Sequence, residues 1–151
     1  MKFGVTVNRM MIDRRSSDPY GRLFSYLNEM EDLGNDLGWC EHHRFSSTTA
    51  FVRDHATEPS APLSMMAAMM ARTRTMKFCT NIFLLPSRHP PEINTINGMS
   101  NNRFILAAGI GYKPDEFENC GCNFRSRAGR FEECLEILPL AMRSEAFSYS
   151  G

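Results

Sequence analysis

Short apolar segments alternate along this chain with segments of helical period, and that alternation narrows the fold more than any other feature. Residues 2–7 read as a short buried strand, with Phe3, Val5 and Val7 on one face and Gly4 and Thr6 on the other. From residue 21 to about residue 37, Leu23, Phe24, Leu27, Met30, Leu33 and Leu37 recur at helical spacing. Ser17 or Asp18 is placed to start that helix, and Gly34 or Gly38 to end it. Trp39 and Cys40 form a weak strand candidate, leading into Glu41-His42-His43 and a long polar loop over residues 45–60. Residues 62–74 predict a helix with Pro62 in its first turn and a stripe of Leu63, Met65, Met66, Met69 and Met70. Such a stripe suits core filling better than a binding groove.

The second half continues the pattern. Residues 76–85 predict a clear strand, residues 92–99 a short helix, and residues 104–108 a third clear strand ending in Gly109-Ile110-Gly111-Tyr112. A loop is expected from there to about residue 124, because Pro114 and Asp115 open a loop and not a helix. The last helix is expected over residues 127–142, with Pro139 kinking or shortening its final turns. Residues 147–151 carry a strand-like alternation. The order is therefore β-α-β-α-β-α-β-α, which calls for a parallel sheet with right-handed crossovers.

Lys plus Arg and Asp plus Glu each number 17, so nothing in the charge balance favours a nucleic-acid or anionic-membrane partner. No segment approaches the roughly 20 apolar residues of a membrane span, and the N-terminus lacks the apolar stretch of a signal peptide. A cytoplasmic protein is expected. The cysteines Cys40, Cys79, Cys120, Cys122 and Cys134 are odd in number and lack disulfide-scaffold or zinc spacing, so free reduced thiols are expected. No histidine–carboxylate spacing suggests a metal site.

Several ordered motifs carry a resemblance. They are residues 1–7, Glu41-His42-His43, Thr80-Asn81-Ile82-Phe83-Leu84-Leu85-Pro86-Ser87-Arg88-His89-Pro90, and Asn102-Arg103-Phe104 running to Gly109-Ile110-Gly111-Tyr112. Asp115-Glu116-Phe117-Glu118 with Gly121, and Arg130-Phe131-Glu132-Glu133 within residues 127–138, complete the series. In order and spacing the chain resembles the luciferase-like flavin monooxygenase family, to which bacterial luciferase and deazaflavin-dependent oxidoreductases belong. The resemblance implies an α/β fold of TIM-barrel type, of which residues 1–151 supply about the first four of eight βα units as one domain. Departures from the family pattern are a polar second strand (residues 35–40), a short third helix, Asn102 in place of a glycine, and Pro139 inside the last helix.

The resemblance further implies reduced FMN or the deazaflavin coenzyme F-420 as cofactor, and a small organic substrate for oxidoreductase or monooxygenase chemistry. It puts His42 in the role of catalytic acid or base, with Glu41 and His43 beside it. It also puts Thr80, Asn81, Gly109 and Gly111 against the cofactor, and a backbone distortion, in some members a cis peptide, at Thr80-Asn81-Ile82. A buried Thr80 is satisfied equally by a cofactor edge or by pairing across the sheet. Gly109 and Gly111 let a ring or phosphate approach the backbone. They are not a dinucleotide fingerprint, which needs a third glycine opening a helix. His89 is assigned to the turn that opens the next helix.

The first reading is an enzyme in truncated form. Its alternative is a catalytically silent flavin-binding remnant or half-barrel module, with a homodimer of half barrels as the partner that would complete it. A flavodoxin-type domain ranks below both, because Asn8-Arg9-Met10-Met11 is no glycine-rich phosphate loop.

Overall fold

The computed structural model of the protein describes residues 1–7, 11–12, 15–41, 61–143 and 146–150. Four strand positions lie side by side, all parallel. Strand β1 (Gly4–Val7) pairs with β2 (Leu37–Glu41), β2 with β3 (Lys77–Asn81), and β3 with β5 (Phe104–Ile105). The third and fourth positions are each broken. β3 resumes after Ile82 as β4 (Phe83–Leu84), β5 resumes as β6 (Ala108–Gly109), and β4 pairs with β6 in parallel. The peptide between Asn81 and Ile82 is cis. Helices α1 (Gly21–Asp32), α2 (Pro62–Arg72), α3 (Pro90–Met99), α4 (Pro114–Glu118) and α5 (Arg127–Ala141) fill the intervals. The expected α/β order, with about four βα units, is the architecture present.

Strand pleating decides which residues meet the helices. Val5, Val7, Cys40, Phe78 and Phe104 point to one face, where they pack with Leu23 and Leu27 of α1 and Met66, Met69 and Met70 of α2. The methionine stripe is thus core. A second cluster joins Phe83, Leu85 and Ile93 to Cys134 and Leu138 of α5. All five cysteines are free thiols.

Three elements depart from the reading of the sequence. Helix α1 stops at Asp32 because Gly34, at φ 83°, turns the chain out of the helix, which leaves Leu37 and Gly38 to the strand. Its polar run notwithstanding, β2 is a full central strand. Gly38 is needed there because a Cβ would lie 2.7 Å from the Phe78 ring. Residues 114–118 form a short helix and not a loop: Pro114 occupies the first turn, where a missing N–H is harmless, and Asp115 and Glu116 suit the helix N-terminus. Pro139 lies inside α5, which continues to Ala141, and residues 146–150 form no strand. In that segment the Tyr149 hydroxyl instead donates to Glu136 at 2.7 Å.

Side chains tie the crossovers to the strands. Glu31, at the end of α1 and only 5% exposed, accepts from the backbone N–H groups of Arg74, Thr75 and Met76 and from the Thr75 hydroxyl, at 2.6–3.0 Å. Burial raises its pKa, but these donors outweigh it and hold the carboxyl at about 2, against an ordinary 4.5. Arg103, just before β5, donates to the carbonyls of Met70 and Thr73 and caps the C-terminal end of α2. Asn101 and Asn102 precede it at φ 51° and 61°, in the left-handed region that asparagine tolerates and glycine adopts freely. Hence asparagine can stand where the resemblance leads one to expect glycine.

Glu31→Ala is expected to cost about 2 kcal/mol, the scale of charge-assisted hydrogen bonds. Because the folded pKa is depressed, the stability that Glu31 supplies is full above pH 4.5 and drains away as the pH falls toward 2. Urea denaturation across that window should show an acid decline that flattens in the variant. Asn102→Gly should raise stability by up to about 1 kcal/mol by relieving the left-handed backbone, read as a higher urea midpoint at unchanged slope.

Candidate functional site

A cleft of about 530 Å³ opens at the C-terminal ends of the strands. Its floor is the break in the sheet. Glu41 and Asn81, the last residues of β2 and β3, are direct partners in the parallel register, and Ile82, Phe83 and Leu84 continue the line. Gly109, Ile110, Gly111 and Tyr112 form the opposite side, with Glu116 of α4 behind them. Ile82 is 52% exposed and Tyr112 74%, so the walls offer apolar and aromatic surface to whatever enters. Among the described residues, the polar lining side chains are the carboxylates of Glu41 and Glu116, the Asn81 amide and the Tyr112 phenol, with no Lys or Arg.

The structure brings together Glu41, Asn81, Gly109 and Gly111 from the residues singled out in the sequence. Thr80 is set apart from them. It is fully buried on the helix side of β3, and its hydroxyl donates to the Ala107 carbonyl at 2.9 Å while accepting from the Ala107 N–H at 2.8 Å. The hydroxyl proton and one acceptor lone pair are thus used in pairing across the sheet, which gives Thr80 a structural role. His42 and His43 lie outside the described residues; His42 follows directly on Glu41 in the chain. His89 stands at the N-cap position of α3, as its place in the turn implied. Cys40, beside Glu41, faces the helices. Burial and then the neighbouring carboxylate push its thiol up to about 12, which removes it as a nucleophile near neutral pH.

The glycines of the cleft also meet a packing requirement of the protein itself. A Cβ at Gly109 would lie 2.9 Å from the Ile82 side chain, and one at Gly111 would collide with Leu84 and crowd the Phe117 ring. Gly111 also sits at φ 81°. Packing of the cleft's own walls demands glycine at both positions. Ile82, Tyr112 and Glu116 were not foreseen as site residues. Ile82 reads as one more apolar strand residue, and Glu116 lies in a segment that reads as loop.

Parallel strands, crossover helices on one face and a cleft at the strands' C-terminal ends are the features of the first half of a TIM-type barrel. The chain belongs to the luciferase-like monooxygenase family, whose sequence model matches residues 1–151. The uncharacterized protein y4vJ of Sinorhizobium fredii is 30% identical over 125 residues, 80% of this chain and 33% of that protein. Among solved structures, the oxygenating constituent of 3,6-diketocamphane monooxygenase from Pseudomonas putida, in complex with FMN, aligns with 100% of this chain and 41% of its own, at TM-score 0.77 and 20% identity. An F420-dependent secondary alcohol dehydrogenase in complex with an F420-acetone adduct aligns with 99% and 44%, at TM-score 0.70 and 16% identity. The chain thus spans about a third of the y4vJ protein and about two fifths of these structures. Among the described residues no helix is long and apolar enough to cross a membrane.

Gly111→Ala should destabilise the fold by about 2–4 kcal/mol, since it adds left-handed strain to overpacking against Leu84 and Phe117. Gly34→Ala, also at positive φ but with nothing within 4 Å, should cost only the backbone share. The difference between their urea midpoints isolates the packing contribution.

Proposed function

We propose that the cleft holds the ring system of a flavin or deazaflavin, and that the chain is the cofactor-ring half of an oxidoreductase or monooxygenase acting on a small organic molecule. The observation that carries this reading is the cleft's lining. A flat, largely apolar ring with polar edges suits Ile82 and Tyr112 as walls, and Asn81 and Glu41 as edge partners. Among the described residues the lining offers two carboxylates and no cation, which suits a ring better than a phosphate. Family membership and the FMN and F420 complexes among structural relatives support the same choice of cofactor class.

When bound, the cofactor would supply the hydride or activated oxygen that no side chain can. The protein's part is to position the ring and to move protons. His42 follows Glu41, a cleft residue, and a histidine there would titrate in the range needed of an acid or base. His43 is its neighbour in that role.

The test is a fluorescence titration of the chain with FMN, with riboflavin in parallel. Saturable quenching is expected, weakened about tenfold by Asn81→Ala through loss of an edge hydrogen bond. Riboflavin should bind within about threefold of FMN, a difference of under 1 kcal/mol, since the described lining residues include no cation to favour the phosphate. Absence of quenching by either compound at high micromolar protein would overturn the proposal.

A further inference from the structure

Helix α4 ends in the segment Cys120-Gly121-Cys122, whose two sulfur atoms have no part in the core or in the cleft. The Cys122 N–H donates to the Phe117 carbonyl at 2.9 Å, and the Gly121 N–H to the Glu118 carbonyl at 2.9 Å. These two bonds make a Schellman cap, in which the residue just past the helix is left-handed. Gly121 takes that place, at φ 67°. The Cys120 N–H also donates to the Phe117 carbonyl, at 3.0 Å, so the backbone of both cysteines is held to one oxygen at the end of α4.

That turn brings the flanking residues together. A left-handed residue repeats the Cα spacing of an α-helix in mirror image, which sets the Cα atoms of Cys120 and Cys122 about 5.4 Å apart. Disulfides span roughly 4.4–6.8 Å between Cα atoms. In an extended strand the same two residues would stand about 6.6 Å apart, at the far edge of that range. The Cys122 sulfur turns back toward its neighbour, 3.6 Å from the Cys120 carbonyl oxygen. Exposure separates this pair from the other thiols. Cys40, Cys79 and Cys134 are buried, and burial raises the pKa of each, whereas Cys120 and Cys122 are both partly exposed. Among the described residues a Cβ at Gly121 would meet nothing within 4 Å, so the turn is open around its middle residue.

From this arrangement we infer that Cys120 and Cys122 form a reversible dithiol–disulfide site whose co-reactant is a low-molecular-weight disulfide, RSSR. One cysteine thiolate attacks a sulfur of RSSR, which forms a mixed disulfide and releases RS⁻. The second thiolate then attacks the protein sulfur of the mixed disulfide, joining Cys120 to Cys122 and releasing the second RS⁻. The two protons given up by the cysteines leave on two RSH molecules. The protein is oxidised by two electrons and the small disulfide is reduced by two, and excess thiol runs the sequence backwards. A bridge across a single intervening residue closes a very short loop, so it restrains the unfolded chain little. Together with its exposure, this makes it an exchangeable bond and not a structural one. The inference rests on the turn and does not require a cofactor.

The test incubates the reduced full chain with oxidised glutathione, without flavin, and stops samples with acid at intervals. Mass spectrometry should show the chain lighter by two hydrogens, and peptide mapping should place the bond between Cys120 and Cys122. Cys40, Cys79 and Cys134 should stay unreacted until the chain is denatured, and dithiothreitol should restore both thiols of the pair under native conditions. Cys122→Ser removes the second nucleophile. It should therefore hold one glutathione on Cys120, in an adduct that lasts roughly tenfold longer than the transient one of the unaltered chain. If that variant does not fold, the map of the unaltered chain decides alone. Separate glutathione adducts on both cysteines overturn the proposal, as does a bond to any other cysteine or between two copies. Two thiols that stay unreacted, or that a retained metal ion blocks until a chelator is added, overturn it too. Flavin titration of the same samples is read separately, so failure of cofactor binding and failure of thiol exchange are distinguishable.

Discussion

A parallel sheet with helices α1, α2, α3 and α5 packed on one side is the constraint from which the other features of this molecule follow. Each parallel pairing needs a crossover, and right-handed crossovers return every helix to the same face. That face becomes the core, filled by Leu23, Leu27, the α2 methionines, Val7, Cys40 and Phe78. The other face is left to curve around an interior that four strands only half enclose. The position of the cleft, the exposure of Trp39 and Ile105, and the open edges at β1 and β5 are consequences of that single asymmetry.

Polar anchors hold the curved sheet in register where hydrophobic packing has no preference between neighbouring positions. Glu31 grips three successive backbone N–H groups ahead of β3, and Arg103 caps α2 from the segment ahead of β5. Each links a helix end to the start of a strand, so the crossovers arrive at fixed heights. At the other end of the sheet Thr80 closes on Ala107 where β3 and β5 part, which lets the two strands resume as β4 and β6. The cleft lies directly over that break. A sheet that continued without interruption would present only the alternation of a pleat there, with Ile82 turned to one face or the other.

Much of this was legible in the sequence, for reasons that differ by element. The periods of residues 62–72 and 77–85 are strong because both are buried on at least one side, and burial is what hydrophobic patterning records. β2 was only weakly legible, since a glycine, a tryptophan on the concave face and two preceding polar residues disguise a central strand. The 114–118 helix escaped because a first-turn proline reads equally well as a loop opening. Of the candidate site, Glu41, Asn81, Gly109 and Gly111 were singled out through ordered motifs, whereas Ile82, Tyr112 and Glu116 stand in the same motifs and are recognised as lining the cleft only in the tertiary structure.

What the sequence determined by itself is the alternation of strands and helices, the helix-facing core, and the family, because these depend on local period and on motif order along the chain. What only the tertiary structure decided is which residues share the cleft, why its glycines are glycines, and where the hydroxyl of Thr80 is spent. Those depend on contacts between segments 25 or more residues apart, such as Thr80 with Ala107 and Gly109 with Ile82. A linear pattern carries no measure of distance across a sheet; register and curvature supply it.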